Sequence, residues 1–434
     1  MCNMRESGVE WIGTMPIDWQ LLTIGSLFKV RNEKVNDTDY PPLSVSKGGI
    51  VPQMENVAKT DANDNRKLVL ENDFVINSRS DRKQSCGVSS MDGSVSLINT
   101  VLYLVPNAPV VPEYLNYLLK NHGFAEEFYK WGHGIVADLW TTRWQEMKNI
   151  LLPIPTKEVQ IQILNRIETE TQNINTLIAN VQTQIEKLKA YKQSLITEVV
   201  TRGLDPTVPM KESGISWLGT IPQNWDIVKI IRIADKTHPY AIGDGDHGLI
   251  KPDDYLEEGI PYIRVQNLGW ATELDTTNIV YISEETNQKI KNSTLRPNDV
   301  IFAKTGATIG KTAIIPPNIP IANTTSHVGK ITVSNQYNAR YVFYVLSSVV
   351  GYRQFWEYAS SKTTRPELAM DEIKQIYITL PRDLNEQTDI VNYLDKTCEM
   401  LNRLIDIKQR KIEELEQYKK TIIYEYITGK KEVL

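Results

Sequence analysis

The sequence ESGVEWIGTMPIDW at residues 6–19 is repeated as ESGISWLGTIPQNW at residues 212–225. Both copies keep two tryptophans, a Gly-Thr pair and the proline that precedes the second tryptophan. The copies lie 206 residues apart, from Trp11 to Trp217, which is far beyond the roughly 20–50 residues of a solenoid repeat. The repeat therefore predicts two whole modules in tandem, and a protein that performs one task at two places.

A second repeat closes each module. The sequence IEKLKAYKQSLITE at residues 185–198 matches IEELEQYKKTIIYE at residues 412–425, and the offset from Tyr191 to Tyr418 is 227 residues. The middle of the second module is therefore 21 residues longer than that of the first. Matched ends with different middles predict one structural frame that carries two different surfaces.

The closing segments have the apolar spacing of a coiled coil, with one residue in seven on a common seam. The seam residues are Ile167, Ile174, Val181, Leu188 and Leu195 in the first segment, and Leu394, Leu401, Leu415 and Ile422 in the second. An adjoining stripe holds Leu177, Ile178 and Ile185 in the first segment and Leu404, Ile405 and Ile412 in the second, while Lys408 interrupts the second seam.

Helix-ending signals flank both segments. Thr156 and Asp383 are good N-cap residues, residues 383–386 have capping-box spacing, and Gly203 and Gly429 are suitable stops. We predict two long helices, each a rod of roughly 65 Å, that pair in antiparallel fashion because the second can run back along the first. The alternative for either helix alone is an ordinary amphipathic helix on a globular core.

The predicted domain limits follow from these repeats: module one at 1–155, the first helix at 156–203, module two at 204–382 and the second helix at 383–434. Alternating β-branched runs, such as those at 94–104 and 328–333, predict modules that are mostly β with some helix. The predicted fold class is α+β: two α/β modules separated by two long antiparallel helices, with an approximate two-fold axis.

Composition sets the class of protein. The 434 residues are 41% hydrophobic with a net charge of −5, which is typical of a globular protein of two to four domains. The acidic balance argues weakly against nucleic-acid binding, since a basic face matters more than the sum. The three cysteines lie far apart without a CxxC pair, and no stretch resembles a signal peptide or membrane span. We therefore expect a cytoplasmic protein without zinc or disulfides.

Motifs for catalysis are weak. The G-x-G-x-x-G match at residues 243–248 is followed by Pro252 and contains two aspartates that would repel a pyrophosphate. Residues 306–312 resemble a Walker A loop, but only three residues separate the glycines where four are needed. Tyr40-Pro41-Pro42-Leu43 lacks the Asn or Asp of amino-methyltransferases, and the five histidines show no ligand spacing. We predict no catalytic residues and no metal site.

Polar and basic clusters interleaved with aromatic residues are the remaining signal. Arg, Lys, Asn and Gln are the residue types that hold phosphates and read base edges, although each residue alone could belong to a solvated loop. The DNA-binding candidates are Asn77, Arg79, Arg82, Lys83, Arg143, Arg264, Gln266, Asn267, Lys304, Lys362 and Arg365.

Along essentially its whole length, the chain resembles the specificity subunit of a type I restriction–modification system. The resemblance rests on the doubled tryptophan segment, on the two Tyr-Lys helices, and on residues 305–311 and 43–47, the last of which adds Lys47 to the candidates. It implies two target-recognition domains, separated by conserved helices, that each bind one half of a bipartite, asymmetric site in double-stranded DNA.

The resemblance also implies that this chain serves host defence without catalysing a reaction or binding a cofactor. Two methylation subunits would dock on it and use S-adenosylmethionine, and two restriction subunits would supply ATP- and Mg-dependent cleavage. Two alternatives stay open at this point. One is a self-contained nuclease or NTPase, and the other is a coiled-coil scaffold whose two heads bind protein and do not read DNA.

Overall fold

The computed structural model describes residues 3–53, 65–134, 140–359 and 366–433. The chain forms two compact units: unit 1 is Met1–Gln182 with Arg410–Leu434, and unit 2 is Thr183–Gln409. Two long helices, Lys157–Arg202 and Leu384–Ile427, each contribute to both units. The fold is therefore α+β with two long helices, as predicted.

The opening repeat forms the same β-hairpin twice. In unit 1, Met4–Glu6 pairs with Thr14–Pro16, and in unit 2, Met210–Glu212 pairs with Thr220–Pro222 in the same register. A glycine in the left-handed region follows the first strand of each hairpin by two residues, with φ of 73° at Gly8 and of 76° in the second copy, a conformation that favours glycine. The predicted duplication is confirmed at the level of backbone structure.

Among the described residues, unit 1 adds eleven strands and four short α-helices to its hairpin, and unit 2 adds nine strands and five short α-helices. Further strands of unit 1 are Gln20–Thr23, Phe28–Val30, Lys34–Val35, Leu43–Ser46, Gly49–Pro52, Arg66–Val69, Phe74–Asn77, Cys86–Val88, Gly93–Val95, Asn99–Leu104 and Leu151–Ile154; its short helices are Ile24–Leu27, Pro112–Lys120, His122–Lys130 and Trp144–Met147. Further strands of unit 2 are Trp225–Lys229, Ile242–Asp244, Ile260–Ile263, Val280–Ile282, Val300–Ala303, Thr312–Ile314, Asn323–Thr324, Val328–Ile331 and Tyr377–Pro381; its short helices are Ile230–Ile233, Glu284–Lys289, Ala339–Ser347, Val349–Ala359 and Met370–Ile373.

Each unit is built on an antiparallel four-stranded sheet. In unit 1 an inner strand is Phe74–Asn77, and in unit 2 its counterpart is Val300–Ala303. All four residues of both strands are buried, which is the pattern of a strand covered on its two faces. These two strands lead directly into the candidate site.

Within unit 1, the start of the first long helix packs against the end of the second. Arg166 Nε donates to the Tyr426 hydroxyl at 3.1 Å, and Lys419 Nζ donates to Asn175 Oδ1 at 2.7 Å. Residue numbers rise along one helix as they fall along the other. The two segments are therefore antiparallel, as predicted.

Within unit 2, the other ends of the two helices pair in the same way. Lys192 Nζ donates to Asn402 Oδ1 at 3.0 Å, and Lys408 Nζ donates to Gln184 Oε1 at 2.6 Å. The first of these bonds is the counterpart, 227 residues displaced, of the Lys419–Asn175 bond in unit 1. The repeated Tyr-Lys sequence thus supplies one lysine bridge between the helices in each unit, and Lys408 replaces an apolar contact with a hydrogen bond.

The predicted seam is buried towards the helix ends and half-buried midway. The buried members are Ile167, Ile174, Leu195, Leu394, Leu401 and Ile422, and the half-buried members are Val181, Leu188 and Leu415. The prediction that the adjoining stripe takes part in the helix contact is wrong at Leu177 and Leu404, which are 51% and 40% exposed. A single partner helix covers only a narrow seam, so that residues on the flank stay in contact with solvent.

The helix limits agree with the predicted caps. The Asp383 carboxylate accepts from the Asn385 amide at 2.9 Å, and Gly203 and Gly429 follow the two helices in the left-handed region. The predicted capping box is wrong, because Glu386 instead accepts from the Trp225 indole at 2.7 Å. The second tryptophan of the repeat in unit 2 is thereby tied to the helix start.

A buried glutamine anchors each long helix to its unit. In unit 1, Gln160 donates to the carbonyls of Pro109 and Pro155 and accepts from the Val111 amide. In unit 2, Gln387 makes the equivalent bonds, donating to the Pro381 carbonyl at 2.9 Å and accepting from the Asn338 amide at 2.9 Å. Both glutamines are at most 1% exposed, so each satisfies backbone groups that water cannot reach.

We expect Gln387→Leu to destabilise unit 2 by about 2–4 kcal/mol, because it leaves a buried amide and a buried carbonyl unpaired. Urea unfolding, monitored by hydrogen exchange, would measure the free energy of unfolding of each unit separately. The matched Gln160→Leu variant should lower protection in unit 1 instead. Equal loss in both units from one substitution would contradict the assignment of each glutamine to its own unit.

Candidate nucleic-acid interface

The inner strand of each unit ends in a turn that we call the edge turn, residues 78–85 in unit 1 and 304–311 in unit 2. Each edge turn contains one 3-10 turn, Ser80–Arg82 or Gly306–Thr308. Each is also tied by an isolated β-bridge to the segment that precedes the last short helix: Arg79 to Thr141 in unit 1, and Thr305 to Glu367 in unit 2. The edge turn and the segment bridged to it thus have the same backbone arrangement in both units but carry different side chains.

The structure brings together the two predicted clusters of unit 1. The Thr142 amide donates to the Ser78 carbonyl at 3.1 Å, which places residues 140–144 beside the edge turn. Arg79 lies 3.1 Å from Asp81, and Arg82 lies 3.7 Å from the same carboxylate.

Lys83 lies 3.2 Å from Glu126, and Arg143 is exposed at the start of the last short helix. Exposed ion pairs such as these contribute only about 0–1 kcal/mol. The basic groups can therefore exchange their carboxylate partners for phosphates or base edges at little cost.

Two predicted contacts, Asn77 and Asn267, are buried, with exposures of 6% and 1%. Asn77 Oδ1 accepts from the Arg79 amide at 3.1 Å, and Asn267 Oδ1 accepts from the Arg264 amide at 2.9 Å. The side chains of Asn77 and Asn267 stabilise the turns that carry Arg79 and Arg264. The structure therefore does not present these two asparagines to a ligand. Gln266, beside Asn267, is exposed.

In unit 2, several strands end at one edge of the fold. Ile263 pairs with Thr324, and Ala303 pairs with Val328, so Arg264 and Lys304 both lie beside the loop of residues 325–327. The Arg264 guanidinium donates to the Asn278 carbonyl at 2.9 Å. The sequence clusters at 264–267 and 304–306 are therefore brought together.

Lys304 is 5% exposed and is held between two carboxylates. Its Nζ lies 2.9 Å from Glu367 and 3.0 Å from Asp244. Burial lowers the pKa of Lys304, but the hydrogen bonds to Glu367 and Asp244 outweigh it and hold the pKa above its ordinary value. The lysine thus fastens the edge turn to the segment that carries Glu367, and it is not presented to a ligand.

We expect Lys304→Met to destabilise unit 2 by about 2–4 kcal/mol, less than the loss for a fully buried pair because Glu367 is 58% exposed. Since the folded-state pKa is raised, this contribution is complete below the unfolded lysine pKa of about 10.4 and is lost as pH rises through the folded value. Urea unfolding at pH 7 measures it.

The control for this prediction is Lys47→Met, because Lys47 is exposed in the turn between Leu43–Ser46 and Gly49–Pro52. It should leave stability unchanged. Undiminished stability of Lys304→Met, combined with lost DNA affinity, would instead make Lys304 a direct contact.

Two candidates, Lys362 and Arg365, lie outside the described residues. Among the residues that the structure does describe, there is no cluster of three or more His, Cys, Asp or Glu side chains that could hold a metal ion. Across the same residues, no helix combines the length and the apolar character that a bilayer span requires.

Comparison with known proteins gives consistent likenesses. Residues 240–417 match the family model of the type I restriction modification DNA specificity domain. The chain is 25% identical over 436 residues to the MjaVIII type I restriction enzyme specificity subunit of Methanocaldococcus jannaschii, covering 96% of this chain and 93% of that protein. It is also 25% identical over 256 residues to the EcoBI specificity subunit of Escherichia coli, covering 58% of this chain and 52% of that protein.

A solved structure shares the fold. Its description concerns the structural basis of complex assembly and conformational transition of the type I R-M system. One of its chains aligns with a TM-score of 0.62 and 15% identity, over 95% of this chain and 98% of that chain. The family match at residues 240–417 and the likeness along nearly the whole chain make this protein similar to the specificity subunits of type I restriction–modification systems.

Proposed function

We propose that this chain selects the DNA sequence on which a type I restriction–modification enzyme acts, and that each unit reads one half of a bipartite site. The observation that carries the proposal is the edge turn, which is built twice on the same frame with different side chains. Unit 1 offers Arg79, Arg82 and Lys83, whereas unit 2 offers the neutral sequence at residues 305–310. A shared frame with different surfaces suits an asymmetric site.

The long helices would fix the separation of the two readings. Half-sites read from one side of the duplex lie about one helical turn apart, roughly 34 Å. A pair of antiparallel helices is stiffer than a loop, so it would hold that spacing. The spacer between the half-sites would then have a defined length but no defined sequence.

Catalysis would belong to partner subunits. Two methylation subunits would bind S-adenosylmethionine and flip an adenine out of each half-site, at a cost of a few kcal/mol, and two restriction subunits would use ATP and Mg²⁺. The net charge of −5 further suggests that the partners supply much of the phosphate contact, so the isolated chain would bind DNA weakly. A filter-binding series against salt would then show a shallower slope for the isolated chain than for the complex.

The repeated Tyr-Lys sequence supports two copies of one partner. Tyr191 in unit 2 and Tyr418 in unit 1 are counterparts, and both are exposed, at 56% and 53%. Exposed tyrosines at equivalent positions offer the same anchor twice, and tyrosine is enriched among residues that dominate interface energies.

We expect Tyr191→Ala and Tyr418→Ala each to weaken docking of one methylation subunit about tenfold or more. Native mass spectrometry of titrated mixtures would then show one copy bound per chain for each variant. Glu413→Ala, an exposed change on the same helix, is the control and should leave two copies bound. Loss of both copies from one substitution would contradict two equivalent docking sites.

Binding selection from randomised duplex DNA tests the proposed function itself. With the complete complex we expect two enriched blocks separated by a spacer of fixed length and free sequence. Enrichment of one uninterrupted block would overturn the half-site assignment. Absence of any enriched sequence would favour the scaffold with two protein-binding heads.

A further inference from the structure

We propose that a loop outside the basic clusters reads bases in each unit, residues 96–98 in unit 1 and residues 325–327 in unit 2. The proposal rests on the proposed function and names the chemistry of each reading. His327 would form a hydrogen bond with a base edge in one half-site, and Ile98 would contact the methyl group of a thymine in the other. We call these two segments the reading loops.

The two reading loops occupy the same place in their units. In unit 2 the loop connects Asn323–Thr324 with Val328–Ile331, and in unit 1 it connects Gly93–Val95 with Asn99–Leu104. The strand before each loop makes a parallel pairing, at Thr324 with Ile263 and at Ser94 with Pro42. The correspondence is therefore topological as well as positional.

The strand after each loop pairs with the strand that carries the edge turn. Asn99 pairs with Asn77 in unit 1, and Val328 pairs with Ala303 in unit 2. Each reading loop thus lies directly beside an edge turn. A ligand that meets one of these segments would meet the other.

His327 is exposed, but most of its polar groups are already held. Its carbonyl accepts from the Lys304 amide at 3.0 Å, and its amide donates to Thr325 Oγ1 at 3.3 Å. Its ring Nδ1 lies 3.1 Å from the Thr305 hydroxyl. Within the described ranges Nε2 has no hydrogen-bond partner, so a ring of fixed orientation offers one polar atom to a ligand.

The loop backbone is also fixed from below. The Ser326 amide donates to Asp246 Oδ1 at 3.0 Å, and Asp246 is 4% exposed. A side chain already held in place loses less conformational freedom on binding. Base edges in the major groove present acceptors and donors that a single imidazole nitrogen can match.

The same loop in unit 1 has the opposite chemistry. Leu97 and Ile98 are 41% and 52% exposed, and the turn is closed by the Asn99 amide donating to the Ser96 carbonyl at 3.1 Å. Two exposed aliphatic side chains beside arginines match the thymine methyl group, which is the apolar feature of the major groove. One position that is polar in unit 2 and apolar in unit 1 suits two different half-sites.

The test exchanges the two chemistries in the complete complex. We expect His327→Ile to weaken binding to the original site about 5–150-fold, the range for one lost base contact, and to change the preferred base at one or two positions of a single half-site. Ile98→His should change the other half-site only. Ile17→His is the matched control, because Ile17 is 60% exposed in the opening hairpin, and it should change neither.

The readout is binding selection from randomised duplexes, with urea unfolding to show that each variant is folded. If the wild-type complex selects a bipartite sequence and His327→Ile leaves both halves and the affinity unchanged, the reading-loop proposal is overturned while the proposed function stands. A uniform loss of affinity without a changed base preference would also overturn it, because that is the signature of a phosphate contact. Failure of the wild-type complex to select any sequence would overturn the proposed function itself.

Discussion

Replacing Ile422 with aspartate is expected to unfold unit 1 while unit 2 stays folded. Ile422 is fully buried in the core of unit 1, near Tyr426 and Ile427 at the end of the second long helix. Loss of a buried aliphatic side chain costs about 2–5 kcal/mol, and burial of an unpaired carboxylate adds several more. The sum approaches the whole stability of a domain, about 5–15 kcal/mol.

Hydrogen exchange read by mass spectrometry would locate the effect. Protection should fall across residues of unit 1, including the opening hairpin, because Tyr424 donates to the Trp11 carbonyl at 2.7 Å and Lys430 donates to the Ile12 carbonyl at 2.6 Å. Tyr418→Asp, on the same helix but 53% exposed, is the control and should leave protection unchanged. Loss of protection confined to the last helical turns would show that the carboxyl-terminal segment is not part of the core of unit 1.

A triple substitution of Arg79, Arg82 and Arg143 by alanine is expected to abolish the reading of one half-site and to spare the other. Each arginine that contacts a base edge contributes about 1–3 kcal/mol of discrimination. Three such contacts together contribute about 3–9 kcal/mol, so affinity for the original site should fall about 10²–10⁶-fold. All three side chains are at least partly exposed around one edge turn, and their loss leaves the core of unit 1 intact.

Competition binding with the complete complex measures this effect. DNA with a scrambled unit 1 half-site should compete equally well with the original DNA for the triple variant. The charge-matched control replaces Arg403, Arg410 and Lys411, which are exposed on the second long helix, and should keep both half-sites. An equal loss in the control would mean that the arginines act only through the general attraction of phosphates.

Much of the frame was predictable from the sequence, because its signals are local or repeated. The hairpin of residues 4–16 has left-handed glycines at fixed positions, and the long helices have caps and a seven-residue seam. The repeat also contains a less visible signal. Gln160 and Gln387 are 227 residues apart, and glutamine is a residue type that is common on helix surfaces. Both are nevertheless buried, and each donates a hydrogen bond to a proline carbonyl.

The candidate site was less predictable, because residue type does not reveal which way a side chain points. Lys304 is buried by Asp244 and Glu367, each about 60 residues away in the chain, and this contact depends on tertiary packing. The reading loops are not predictable from the sequence for a different reason. Ile98 and His327 do not belong to a basic cluster. Only the pairing of the neighbouring strands shows that they occupy equivalent positions in the two units.

Mapping of modified adenines shows whether each unit reads its own half of the site. The complete system would be expressed with the original chain and with a chain in which residues 20–150 come from another specificity subunit. We predict a bipartite modified sequence for the original, and for the exchanged chain a sequence in which one half has changed while the other half and the spacer length are kept. Change in both halves, or modification of one uninterrupted sequence, would show that the two units do not read separate half-sites.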